Sequence, residues 1–85
     1  MEQVPVYAVR LRRLREQKKM KRRVASELCG LSKNMMKRYE NGEVEPKASA
    51  LILLADFYGV SVDYILGVED GKNNLQKSPY MGRGF

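Results

Sequence analysis

Between Met20 and Pro46 the chain is punctuated at short, regular intervals, and that punctuation restricts its fold more than any other feature. A short apolar-patterned segment runs up to Gly30, Ser32 opens a second, and Arg38-Tyr39-Glu40-Asn41-Gly42 closes it. Glycine suits the left-handed backbone that ends a helix without a Cβ penalty. Serine is a favoured N-cap, and Leu31 ahead of it can staple onto Met36. The spacing predicts one helix over about 21–29, a tight turn, and a second helix over about 32–40. Asn41-Gly42 then signals a turn, and Glu43 to Pro46 reads as a polar loop.

Helical periodicity continues on both sides of this stretch. A first helix is expected from near Pro5, a good first-turn residue, to about Lys18, with Tyr7, Leu11 and Leu14 as its inward stripe. Arg10, Arg12, Arg13 and Arg15 surround that stripe, and a solvated face accounts for most of them. In the second helix Val24, Ala25, Leu28 and Cys29 are expected to face inward. The small Ala25 and Ser26 allow another helix to approach closely. Met36 and Tyr39 supply the core face of the third helix. A fourth helix is expected over about 47–58, with Ala48, Leu51, Ile52, Ala55 and Tyr58 on one stripe. Leu53, Leu54 and Phe57 widen it, which suggests the central helix of a bundle. Gly59 closes that helix. Ser61 then caps a short fifth one, with Val60 and Ile65 as a second staple and Asp63 placed to suit the helix dipole. Past Gly67 the pattern stops, and residues 68–85 read as a loose tail. The expected organisation is an all-α, compact five-helix domain over residues 1–67 followed by that tail.

Charge is segregated along this chain of 85 residues. Residues 1–38 carry twelve Lys/Arg against Glu2, Glu16 and Glu27, a balance of +9, whereas residues 39–70 have a balance of −6. A basic half of this kind implies a polyanionic partner, nucleic acid first and an anionic membrane surface second. The third helix projects Lys33, Asn34, Lys37 and Arg38, side chains suited to phosphates and base edges. A helix–turn–helix order with such a second helix is how a segment that enters the DNA major groove is built.

Other chemistry is poorly provided for. A single cysteine, Cys29, and no histidine rule out an internal disulfide, a four-thiolate zinc site and any Cys/His metal cluster. The usual nucleophilic triads and the commonest general base are missing as well. Cys29 is best explained as a buried apolar filler. No catalytic site, metal or cofactor is expected. With no signal-peptide core and no long apolar run, the chain is expected in a reducing cytoplasm.

These residues resemble a phage-repressor-type helix-turn-helix protein of the XRE-like, lambda-repressor-like group. The similarity covers about residues 7–67 and rests on Leu31-Ser32, Arg38-Tyr39-Glu40-Asn41-Gly42, Pro46 and the run Ala55-Asp56-Phe57-Tyr58-Gly59-Val60-Ser61-Val62-Asp63-Tyr64-Ile65-Leu66-Gly67. The resemblance implies that Lys33, Asn34 and Arg38, with Lys37 beside them, read base edges. Arg or Lys can donate to guanine O6 and N7, and Asn can bind adenine N6 and N7. It assigns phosphate contacts to Arg22, Lys21, Ser32 and Asn41, although a plain turn role explains Asn41 equally well. Met35 fits a thymine methyl or, more simply, partial burial. Arg15 and Glu40 match a family ion pair between the first helix and the end of the third, a structural role. Two departures stand out. Lys21 replaces the usual Ser/Thr N-cap, and Ala25-Ser26 replaces Leu-Ala, which leaves the packing of the second helix open.

The expected function is sequence-specific double-stranded DNA binding by a transcriptional regulator, of a repressor type, in bacteria or phage. A homodimer on a pseudo-palindromic operator is the expected assembly, with Tyr64 and Leu66 as candidate contacts. One alternative is an antitoxin-type or partner-binding regulator that uses the tail, where Tyr80, Met81 and Phe85 are candidate anchors. Another makes the basic segment 10–23 a membrane-surface helix, against which stands its narrow apolar stripe.

Overall fold

The computed structural model describes residues 4–68. Five helices form among the described residues: α1 (Val6–Gln17), α2 (Arg22–Leu28), α3 (Met35–Glu40), α4 (Ala48–Tyr58) and α5 (Val62–Leu66). No strand is present among the described residues. The tail candidates Tyr80, Met81 and Phe85 lie outside them.

The core is assembled from one stripe per helix. Leu11, Met36, Leu54 and Ile65, from α1, α3, α4 and α5, are fully buried. Each such side chain contributes roughly 1.5–3 kcal/mol relative to exposure. α1 packs against both α3 and α5, α3 also packs against α2, and α4 packs chiefly on α5. The hub is therefore the α1–α3 pair and not α4, contrary to the expectation from α4's apolar content. Leu51 through Leu54 are apolar on every side of that helix, so periodicity leaves its inward face undetermined. The buried face turns out to be Ala50, Leu54, Ala55 and Tyr58, with Ile52 and Leu53 exposed.

In α2 the small residues are the inward ones. Ala25 and Ser26 are fully buried, while Val24 and Leu28, expected inside, are exposed. Close approach of α3 is the physical reason. Ser26 Oγ accepts the N–H of Met36 at 2.9 Å, across the two helices. That bond also explains why α3 begins at Met35 rather than after Ser32. Asn34 at the N-cap makes no side-chain cap bond, and α2 supplies the missing acceptor from outside. Residues 32–34 form the turn leading in, closed by Met35 N–H donating to Ser32 O at 3.0 Å.

Other local expectations are met. Ser61 Oγ accepts Tyr64 N–H at 2.9 Å and caps α5. Lys21 caps α2 without a side-chain bond, so that cap is lost. Gly30 takes φ +80, and Leu31 N–H reaches Ser26 O at 2.8 Å, the closure that turns the chain from α2 toward α3. α1 ends in a similar way with Lys19 at φ +55. Residues 10–23 are thus two helices with a break between them, which removes the continuous amphipathic rod that the membrane-surface alternative needs. No helix among the described residues is long and apolar enough to cross a membrane.

Candidate nucleic-acid interface

Arg15 and Glu40 fix how α3 sits against α1. Arg15 Nε donates to Glu40 Oε2 at 2.8 Å and Nη2 to Oε1 at 3.0 Å, a bidentate pair. Its third arm, Nη1, donates to Met20 O at 2.8 Å in the α1–α2 linker. Both side chains are largely buried, Glu40 at 2% and Arg15 at 13% exposure. The hydrogen bonds to Glu40 push the Arg15 pKa up further, so the guanidinium stays charged. One residue thereby registers α1, the linker and the end of α3 against one another.

Next to this pair lies an open cleft of about 550 Å³. The α2 entry contributes Lys21, Arg22 and Arg23, α1 contributes Arg12 and Arg15, and the start of α3 contributes Lys33, Asn34 and Lys37. Glu40 and Asn41 complete the lining. Seven of these ten residues are cationic, and the one carboxylate is consumed by Arg15. Arg12 and Arg23 are held by exposed pairs with Glu16 and Glu27 on their own helices. Lys21, Arg22, Lys33 and Lys37 have no ion pair among the described residues. The result is a concave surface with unspent positive charge, suited to a chain of phosphates.

Six of the eight residues singled out from the sequence line this cleft: Lys21, Arg22, Lys33, Asn34, Lys37 and Asn41. Lys33 and Asn34 precede the first turn of α3, whereas Lys37 is on it. Ser32 is exposed in the turn but is not part of the lining. Arg38 is also outside it, and its Nε lies 3.8 Å from Glu43 Oε1. Helical rotation alone does not account for this, since residue 38 stands only about 40° around α3 from residue 34; the Arg38 side chain is instead turned toward Glu43. Met35 is half-buried against the core, the simpler of its two readings.

Sequence reasoning missed Arg12, which it placed with the solvated arginines. The available signal was its position three residues before Arg15, on the face that Arg15 aims at α3. Arg10 is likewise not free. Nη1 donates to Tyr64 O at 2.6 Å, and the guanidinium lies 4.3 Å from the centre of the Tyr64 ring. Tyr64 is consequently half-covered, while Leu66 is exposed. No group of His, Cys, Asp or Glu among the described residues is arranged to hold a metal.

Residues 6–73 match the family model described as a helix-turn-helix domain. The chain belongs to that family. Among curated proteins, the helix-turn-helix protein is 40% identical over 65 residues to YobD of Bacillus subtilis (strain 168), described as an uncharacterized HTH-type transcriptional regulator; the match covers 76% of the chain and 58% of YobD. It is 35% identical over 69 residues to the HTH-type transcriptional regulator AnsR of the same organism, covering 81% of the chain and 60% of AnsR. The chain thus spans about three fifths of the length of these relatives. Among solved structures it resembles the P22 c2 repressor protein in complex with synthetic operator 9T, with TM-score 0.70, 25% identity, and coverage of 80% of this chain and 100% of that one. The solution structure of the P22 c2 repressor DNA-binding domain (1–76) matches with TM-score 0.67 and 25% identity, over 76% of this chain and 86% of that one. The all-helical lambda-repressor-like fold inferred from the motifs is therefore the fold observed.

Proposed function

We propose that this helix-turn-helix protein is a sequence-specific double-stranded DNA-binding transcriptional regulator, a repressor by preference, that acts by binding and not by chemistry in the cytoplasm. The observation that carries the reading is the cationic cleft beside α3, with Lys33, Asn34 and Lys37 facing outward from it. The likeness to a repressor bound to its operator supports the same orientation, α3 toward the major groove. Lys21, Arg22 and Asn41 flank it as phosphate contacts, and Lys33, Asn34 and Lys37 reach base edges, with Arg38 and Ser32 at the margin. Residues 1–67 form the DNA-binding unit in this reading.

A single short helix reads three to four base pairs, too few to define one operator. Two copies on a pseudo-palindrome, with half-sites about 34 Å apart, supply the rest. Leu66 and the neighbouring Val68, both exposed, are candidates for the contact between copies.

Selection of bound sites from a random duplex pool tests the proposal directly. The expected outcome is an enriched motif with two-fold symmetry, and affinity that falls steeply with salt. Enrichment of no motif, together with salt-independent binding, overturns it.

A further inference from the structure

Glu43 is an exposed acid two residues past Asn41 of the cleft, and main-chain bonds put it there. Its N–H donates to Arg38 O at 2.9 Å, and Gly42 N–H donates to Tyr39 O at 3.0 Å. This is the paired closure of a helix through a left-handed residue, Gly42 at φ +75. A Cβ at Gly42 would meet Pro5 Cδ at 2.8 Å, so the entry to α1 braces the turn from behind. The position of Glu43 beside Arg38 is set by the backbone and does not depend on its own side chain.

From that position the carboxylate divides its oxygens. Oε1 lies 3.8 Å from Arg38 Nε, and Oε2 accepts from Asn41 Nδ2 at 3.2 Å. The side chains of Arg38 and Glu43 are each 51% exposed, within reach of a duplex. The carboxylate thus accepts from one amide and stands within ion-pair range of one guanidinium, two groups that a phosphate's oxygens would also draw on. We propose that Glu43 is an internal competitor of the DNA backbone, a positioning residue that withholds Arg38 and Asn41 until a duplex displaces it and so tempers affinity. This rests on the duplex-binding reading above. The pair is exposed, so the effect is graded, a damping of affinity.

The test measures binding of the full chain to a 20-base-pair duplex of arbitrary sequence by fluorescence anisotropy over a series of salt concentrations. Glu43→Gln keeps the backbone bond and the side-chain size and is expected to tighten binding roughly two- to fivefold, the range of an exposed ion pair. Glu45→Gln removes the same charge two residues further on and is expected to give a smaller gain. The deciding arm repeats Glu43→Gln in an Arg38→Ala/Asn41→Ala background, where the gain is expected to disappear. A gain that survives there shows simple repulsion at a distance and overturns the proposal, leaving duplex binding intact. So does the absence of a gain when the parent chain binds with ordinary salt dependence. If the parent chain binds no duplex at any salt, both readings fall.

Discussion

Glu40→Gln isolates the ion pair that holds α3 against α1. Glutamine keeps the volume but offers one acceptor where the carboxylate offered two, and its NH2 group would face an Arg15 donor. One of the bonds at 2.8 and 3.0 Å is then replaced by an opposed pair of donors, and the buried guanidinium loses its counter-charge. Breaking a buried pair by removing one partner costs about 3–5 kcal/mol. A domain of this size has only about 5–15 kcal/mol in total. At about 4–8 °C per kcal/mol for 60–100 residues, the melting temperature should fall by at least about 12 °C. Thermal unfolding followed by circular dichroism measures the shift, and urea unfolding the free-energy cost. Arg12→Ala is the control, since its pair with Glu16 is 65% and 56% exposed and should cost only a few tenths of a kcal/mol, of order 0.5 at most. Replacing both partners, as Arg15→Met with Glu40→Leu, should recover most of the loss, because apolar substitutes avoid the desolvation of two charges. A Glu40→Gln cost below about 1 kcal/mol would place the pair with exposed ones and refute the reasoning.

Ser26→Ala removes the acceptor of Met36 N–H in a buried interface and should cost about 1–3 kcal/mol in urea unfolding; a neutral result would mean that the turn rearranges to satisfy that donor. Burial pushes the Cys29 thiol up to about 11 from 9.0, so the folded chain keeps a proton that the unfolded chain releases. Stability from this source is complete below pH 9 and is lost between pH 9 and about 11, about 3 kcal/mol at most across the window. Cys29→Ala should flatten that part of the stability–pH curve whatever its effect at pH 7, and an unchanged slope would contradict the assignment. For binding, Asn34→Ala should relax preference at one base position with non-specific affinity nearly intact. Arg22→Ala should weaken every sequence alike and reduce the salt slope by about one; identical behaviour of the two variants would dissolve the distinction between readers and phosphate contacts.

What was legible in the sequence was mostly local. Gly30, Gly59 and Ser61 each act through backbone within a few residues, and each stands where the pattern required. The Arg15–Glu40 pair is long-range, yet the family motif carried it. The misplaced residues share one cause, which is that packing between helices overrides the preference of a single one. Val24 and Leu28 are bulkier than Ala25 and Ser26, but only the small pair lets α3 come close, so the large residues are left at the rim. Ile52 lies in a run of six apolar residues, Ala50 to Ala55, with no polar neighbour inside it to mark the outward side. Most of the candidate interface was visible as charge type and helix position. The exclusion of Arg38 from the cleft and the partnership of Glu43 were not, because both depend on the closure of α3 in three dimensions.

The bond from Ser26 to Met36 has a consequence beyond stability. Where a helix is anchored by its own first residues, changing them to suit a new ligand also loosens the helix. Here the anchoring oxygen belongs to a different segment, and positions 33 and 34 carry no such duty. In the duplex-binding reading proposed above, those two positions can be rewritten to trade one nucleotide preference for another while the scaffold beneath stays as it is.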